Sequence, residues 1–113
     1  MTEIKKSLYD LKWQKLEAFL PILLESCPVE VGVYGSLARG DLKATSDIDL
    51  YALYEEVPQG SQKGELYEDA YDRGIDLLIS SYDAFYSTDS VFCHNVFKDR
   101  KIIWQKGVKH DEE

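Results

Sequence analysis

The segment from residue 29 to residue 54 constrains the fold more than any other part of this sequence. A β-branched and aromatic run, Val29–Tyr34, leads directly into Gly35-Ser36, and a second such run follows at Ser46–Tyr54. Runs of this kind are typical of β-strands, and the glycine marks the turn at which the first strand ends. The sequence therefore predicts two strands, joined through a Gly-Ser turn and a short helix that begins near Ser36.

The Gly-Ser turn has the chemistry of a phosphate-binding segment. Gly35 lets the backbone approach a ligand closely, and the free N–H groups at the start of the next helix attract anions. Ser36 is predicted either to cap that helix or to bond a phosphate oxygen. The turn is therefore a candidate binding site for a nucleoside triphosphate.

Two aspartates alternate at the start of the second predicted strand. Side chains two residues apart on a strand lie on the same face, so Asp47 and Asp49 should project together. Such close carboxylates repel, and the pKa of one must rise unless a cation or a proton lies between them. Mg²⁺ commonly binds one or two carboxylates together with phosphate oxygens. The sequence therefore predicts a magnesium site that the nucleotide completes.

A third aspartate lies in the next predicted strand, Gly74–Ser80. Ile75, Leu77 and Ile79 should form one face of this strand, which leaves Asp76 as a charge on a half-apolar face. Such a residue needs a partner, and it could help to remove a proton from an acceptor hydroxyl. The alternative interpretation is an aspartate that caps a turn at the start of the strand.

One segment resembles the signature of the polymerase-beta-type nucleotidyltransferase superfamily. It consists of Gly35-Ser36, ten further residues and then Asp47-Ile48-Asp49. The forms Gly-Ser-x-Ala-Arg-Gly and Ser-Asp-Ile-Asp-Leu resemble its small prokaryotic branch, the minimal nucleotidyltransferases (MNT). The resemblance extends from about Val29 to Gly107, although only residues 35–50 are specific by motif.

This resemblance implies roles for individual residues. Asp47 and Asp49 would bind Mg²⁺, Asp76 would assist as a third metal ligand or as a base, and Gly35 and Ser36 would hold phosphates. The alternatives for the motif are a tight turn before a solvated acidic strand, and a family member that folds without activity.

Arg39 follows the Gly-Ser turn by one helical turn. It is a candidate contact to a phosphate or to a partner protein. A surface arginine that closes its short helix is the alternative.

The resemblance also implies a reaction and a partner. Members of this kind are commonly antitoxins of HEPN-domain ribonuclease toxins, which they silence by transferring AMP from Mg·ATP to a toxin tyrosine. A second hypothesis is an antitoxin that blocks its partner by contact alone, and a third is nucleotidyl transfer to a small molecule such as an aminoglycoside.

Length and charge narrow these possibilities. A chain of 113 residues predicts one domain without room for a second catalytic domain, so the acceptor surface should come from another polypeptide or a second copy. The net charge of -8 argues against a nucleic-acid groove and suits a basic protein partner. Because no apolar run has the length of a membrane span and no signal peptide is evident, we expect a cytoplasmic protein.

The remaining elements complete an α/β (α+β) fold, a small mixed sheet with flanking helices and a polymerase-beta-like nucleotidyltransferase core. Periodicity predicts a first helix over residues 2–26 that Pro21 kinks or divides. A proline and two glycines predict a loop over residues 56–64. Further elements are expected as helices over residues 65–73, 82–86 and 91–99, a strand over 101–105 and a disordered tail over about 108–113.

Overall fold

The computed structural model describes residues 3–43 and 45–107. The predicted tail at 108–113 lies outside the described residues. Helices and strands alternate along most of the chain, as the hydrophobic patterns predicted. In chain order the elements are α1 (Glu3–Leu24), β1 (Glu30–Tyr34), α2 (Gly35–Arg39), β2 (Ile48–Tyr54), α3 (Gly60–Asp72), β3 (Ile75–Ser81), α4 (Tyr82–Ser87), α5 (Val91–Asp99) and β4 (Lys101–Gln105).

The strands form one four-stranded sheet in the order β3-β2-β1-β4. Strand β1 pairs antiparallel with both β2 and β4, whereas β2 and β3 are parallel. A parallel pair needs a crossover connection, and α3 supplies it between β2 and β3. The predicted mixed sheet with flanking helices is therefore confirmed.

One face of the sheet, called here the apolar face, packs against α1, α2 and α3. Alternate strand residues supply its side chains because successive residues on a strand point to opposite faces. Burying these side chains supplies the main hydrophobic stabilisation of the fold. The fully buried members include Leu16, Phe19 and Leu23 of α1 and Val31, Val33, Ile48, Leu50, Ala52 and Tyr54 of the strands.

The opposite face, called here the polar face, carries a smaller cluster under α4 and α5. Tyr51, Leu53, Phe85 and Val96 form its buried centre. Glu30 is only 1% exposed on this face, where its Oε2 accepts hydrogen bonds from two tyrosine hydroxyls. This face therefore buries a carboxylate that the apolar face would exclude.

The first helix and the second strand differ in detail from the expectations. Pro21 does not divide α1, which continues to Leu24. Pro21 and Glu17 are both exposed residues, so water can replace the helical partner that the Glu17 carbonyl loses. The second strand begins at Ile48 rather than at Ser46, so that Asp47 immediately precedes it.

The predicted loop over residues 56–64 is wrong in its second half, because α3 begins at Gly60. Gly64 in the first turns costs about 1 kcal/mol relative to alanine, whereas Gly60 has a φ of 60° that favours glycine. Buried Leu66 and Ala70 fix the helix on the apolar face, and this packing outweighs the low local preference. None of the described helices is long and apolar enough to cross a membrane.

Candidate active site

The site begins where β1 passes directly into α2. Gly35 has a φ of 68°, a left-handed conformation that favours glycine, and a Cβ at this position would overlap the Asp49 carboxylate. The glycine therefore lets the turn lie directly against the aspartate. The N-cap of α2 is Tyr34, so the prediction that Ser36 caps this helix is wrong. The cap falls earlier because α2 follows β1 directly, with Gly35 as its first residue.

Strand pairing brings two of the predicted aspartates together. Asp49 of β2 and Asp76 of β3 are direct partners in the parallel register, and both belong to the polar face. Asp49 is partly buried, whereas Asp47 and Asp76 are exposed. The backbone N–H of Ile48 donates to the Gly74 carbonyl at 3.1 Å, which joins the starts of the two strands. The expected placement of carboxylates on neighbouring strands is confirmed.

The Asp49 carboxyl has an altered acidity. Burial raises its pKa to about 6, and the negative charges of Asp76 and Asp47 act in the same direction. The positive charge of Arg39 offsets part of this effect. The charged form of Asp49 is therefore poorly compensated by the protein, which is the electrostatic condition that a bound cation relieves.

The donor set of this site suits a hard cation. Among residues 3–43 and 45–107, no three Asp, Glu, His or Cys side chains already converge in the geometry of a metal site. Mg²⁺ is usually held by only one or two carboxylates and takes its other ligands from water and substrate phosphates. The arrangement of Asp47, Asp49 and Asp76 fits a Mg²⁺ that arrives with a nucleotide better than a resident structural ion.

Arg39 lies at the end of α2 and bonds two carboxylates. Its Nε is 3.2 Å from Oδ2 of Asp41, and its Nη1 is 3.0 Å from Oδ2 of Asp99 in α5. The side chain remains 46% exposed. Arg39 therefore ties α2 to α5 in this state. A phosphate would have to share this guanidinium with the two aspartates or displace them.

Lys12 is a supporting residue that the sequence did not reveal. Its ammonium donates a hydrogen bond of 2.8 Å to the carbonyl of Ser46, the residue before Asp47. Ser46 also closes a turn, because its Oγ accepts from the backbone N–H of Lys43. The loop that carries Asp47 is thus attached to α1. A lysine in an amphipathic helix gives no signal of such a distant contact.

Tyr34 is a second residue that sequence reasoning missed as part of this site. It pairs with Asp49 in the antiparallel register, and its ring contacts Phe92 of α5 edge-on, with centroids 6.1 Å apart. Burial raises the pKa of its hydroxyl strongly, and the charges of Asp49 and Asp76 add to the effect. Its place directly before Gly35 was the available signal, but strand packing explained the tyrosine equally well.

A cleft of about 800 Å³ opens beside the carboxylates. Asp47, Gly74, Ile75, Asp76 and Leu77 form one wall. Tyr67, Glu68 and Tyr71 of α3 form the other. The cleft therefore adjoins two of the three predicted site aspartates.

Comparisons with known proteins identify a family and similar folds. The family model described as polymerase beta, nucleotidyltransferase, matches residues 24–108. No curated protein sequence matches the chain significantly.

Three solved structures illustrate the likeness in fold. A proposed nucleotidyltransferase from Sulfolobus solfataricus superimposes with a TM-score of 0.65 at 15% identity, covering 94% of this chain and 91% of that one. A toxin–antitoxin structure with AMP-PNP contains a chain that superimposes with a TM-score of 0.58 at 25% identity, covering 80% of this chain and 74% of that one. The structure of a tri-AMPylated HEPN toxin from Shewanella oneidensis in complex with MNT antitoxin contains a chain that superimposes with a TM-score of 0.56 at 20% identity. The match covers 84% of this chain and 73% of that one.

Proposed function

The chain belongs to the polymerase beta nucleotidyltransferase family, and from this premise we propose that it transfers AMP from Mg·ATP to a protein hydroxyl. The acceptor in this proposal is a tyrosine of a cognate HEPN-type toxin, and the chain acts as the antitoxin. Its fold resembles those of MNT antitoxins.

One observation carries the proposal. The parallel register places Asp49 beside Asp76, and Gly35 lies against the Asp49 carboxylate without room for a side chain. A nucleotide bound at the Gly35 turn would therefore have its phosphates next to two carboxylates. A protein that only bound its partner would not need this repulsive arrangement. Burial, with the charges of Asp76 and Asp47 in addition, raises the pKa of Asp49 to about 6.

Two of the similar structures support the choice of nucleotide and acceptor. One is a toxin–antitoxin structure with AMP-PNP, and the other contains a HEPN toxin that carries three AMP groups. These statements concern those proteins. They make AMP the first nucleotide and a toxin side chain the first acceptor to test here.

The site residues have distinct roles in this reaction. Backbone N–H groups at Gly35 and Ser36, with the Ser36 hydroxyl and Arg39, would hold the triphosphate, and Asp47 and Asp49 would hold the cation. A bound Mg²⁺ would neutralise phosphate charge and orient the α-phosphate. Asp76 helps to bind the cation or accepts the proton of the attacking hydroxyl.

The bond changes follow from in-line displacement. The acceptor oxygen forms a bond to the α-phosphorus, and the bond from this phosphorus to the bridging oxygen breaks. Pyrophosphate leaves, and AMP remains on the protein as a phosphodiester. The chain contributes mainly by positioning the reactants and compensating charge, as is usual for phosphoryl chemistry.

Incubation with each α-labelled nucleoside triphosphate and Mg²⁺, with and without the co-expressed partner, tests the proposal. We expect label on the partner with ATP only. The double variant Asp47→Asn/Asp49→Asn should remove the labelling while the protein stays folded. A matched control, Asp10→Asn/Asp89→Asn, makes the same change in net charge at exposed positions away from the site and should label normally.

The same variants separate catalysis from binding. If Asp47→Asn/Asp49→Asn neutralised the partner as well as the wild type did, neutralisation would not depend on AMP transfer. The chain would then be a binding antitoxin with a vestigial site.

A further inference from the structure

The cleft beside Asp47 and Asp76 is wider than a metal site requires. Its volume is about 800 Å³, and its far wall comes from the outer side of α3. Pockets that bind ligands commonly have volumes of roughly 300 to 1,000 Å³. The Gly35 turn is not among its lining residues, so the cleft extends away from the predicted phosphate position.

The charge of the lining residues indicates which class of ligand the cleft can bind. Three carboxylates, those of Asp47, Glu68 and Asp76, line the cleft, and none of the lining residues is basic. Where no cation compensates them, these carboxylates would repel the triphosphate of a nucleotide. A ligand with lysine or arginine side chains would be attracted, and the net charge of -8 adds a favourable long-range field.

Two aromatic side chains give the cleft an apolar, exposed surface. Tyr71 is 82% exposed and Tyr67 is 38% exposed, one turn apart on α3. Tyrosines are enriched at protein interfaces, where their rings stack on guanidinium groups and other aromatic rings. Their exposure is therefore expected at a surface that a partner covers.

The lining residues 74–77 lie at the start of an edge strand. Within the described part of the chain, β3 pairs with β2 on one side only. An edge strand offers backbone N–H and C=O groups to an extended polypeptide, which can add to the sheet as a further strand. A segment bound in this way would pass directly beside Asp76.

We propose that this cleft binds the acceptor segment of the protein substrate as an extended stretch with lysine or arginine residues flanking the acceptor tyrosine. Glu68 and Tyr71 are its specificity-determining residues. Glu68 pairs with a flanking basic side chain, and Tyr71 stacks on it or on the acceptor ring. The inference rests on the proposed function and deepens it by naming the chemistry of the acceptor.

Binding of two labelled peptides tests the inference without requiring catalysis. Both peptides carry phenylalanine in place of the acceptor tyrosine, flanked by lysines in one and by glutamates in the other. Fluorescence anisotropy at low ionic strength should show the lysine peptide binding roughly tenfold more tightly, with a preference that salt reduces. Equal affinities would overturn the inference.

Variants on one helix locate the effect. Glu68→Lys should weaken binding of the lysine peptide about fivefold, since an exposed charge pair is lost and a repulsion is gained. Glu65→Lys makes the same charge change three residues earlier, but Glu65 lines a different cavity and its variant should bind as the wild type does. An equal loss in both variants would mean that only net charge matters and would overturn the assignment.

A transfer assay separates this inference from the proposed function. With tyrosine peptides and Mg·ATP, Glu68→Lys should raise KM for the lysine peptide and leave kcat unchanged. AMP transfer with the same KM for both peptides would overturn the inference alone. Charge-selective binding without transfer to any acceptor would support the peptide-binding role of the cleft and contradict the proposed reaction.

Tighter binding of an aminoglycoside than of the lysine peptide, lost in Glu68→Lys, would assign the cleft to a small-molecule acceptor instead and overturn the inference.

Discussion

The two faces of the sheet are built from the same strands and have opposite chemistry. Adjacent residues of β2 illustrate this, because Leu50 is 0% exposed in the apolar core while Asp49 lies among carboxylates on the polar face. The apolar face packs on two long helices, α1 and α3. In the part of the chain that the structure describes, the short α4 and α5 cover part of the polar face.

This difference separates what stabilises the fold from what the proposed reaction needs. The apolar face has the regular packing that lowers the free energy of the folded state. The polar face holds like charges together and buries Glu30, arrangements that cost stability unless another group compensates them. One sheet can carry both because strand alternation keeps the two sets of side chains apart.

The largest effect should come from Asp49→Asn on the polar face. AMP transfer should fall about a thousandfold, since a ligand for the cation and its charge are lost. The free energy of unfolding should not fall, because burial and neighbouring carboxylates already disfavour the charged form of Asp49. Steady-state transfer assays and urea unfolding measure both quantities. Unchanged transfer would remove Asp49 from the mechanism.

The neighbouring variant Leu50→Ala should have the opposite profile. Removing a buried leucine side chain should lower the free energy of unfolding by about 3 kcal/mol. Transfer per folded molecule should change little, because Leu50 lies on the other side of the sheet. A variant that lost transfer while keeping its stability would break the distinction between the faces.

A smaller effect is expected at the buried carboxylate of the polar face. Tyr51 and Tyr86 donate hydrogen bonds of 2.7 and 2.6 Å to Oε2 of Glu30. Glu30→Ala leaves two hydroxyls without this acceptor and should cost about 2 kcal/mol of unfolding free energy. Glu30→Gln keeps an acceptor oxygen and should cost less. Equal losses in thermal or urea unfolding would mean that the amide oxygen of glutamine does not replace the carboxylate as acceptor.

The smallest effect concerns alkaline pH. Burial, followed by the hydrogen bond and charge of Glu30, raises the pKa of the Tyr51 and Tyr86 hydroxyls. Unfolded tyrosine loses its proton near a pH of about 10, so above this pH the unfolded state binds fewer protons and folding stability falls as pH rises.

Ultraviolet absorbance of phenolate follows this titration directly. Tyr51→Phe and Tyr86→Phe should each remove one late-titrating phenolate. Glu30→Gln should lower the pH at which the Tyr51 and Tyr86 phenolates form. Unchanged titration in Glu30→Gln would assign the raised pKa to burial alone.

The sequence predicted those parts of the fold that depend on local pattern. Alternation in β3 correctly separated Ile75, Leu77 and Ile79 from Asp76, because period-two patterns report directly on strand faces. The structure adds that Asp49 pairs with Tyr34, at the end of β1 where Gly35 turns. The roles of these residues in metal and phosphate binding stay predictions.

Contacts between distant segments could not be predicted. Lys12 meets Ser46 across 34 residues, and Tyr86 meets Glu30 across 56. Each of these residues is ordinary in its local context, and only the folded chain brings the partners together. The early start of α3 was missed for a related reason, because packing of Leu66 and Ala70 outweighs the low helix preference of Gly64.

The intact mass of the cognate toxin, after incubation with this protein and Mg·ATP, tests the central claim most directly. We expect the toxin to gain one or more AMP masses with the wild-type protein and none with Asp47→Asn/Asp49→Asn. An unmodified toxin that is nevertheless inactive and stably bound would contradict the account. The polar face would then serve contact rather than catalysis.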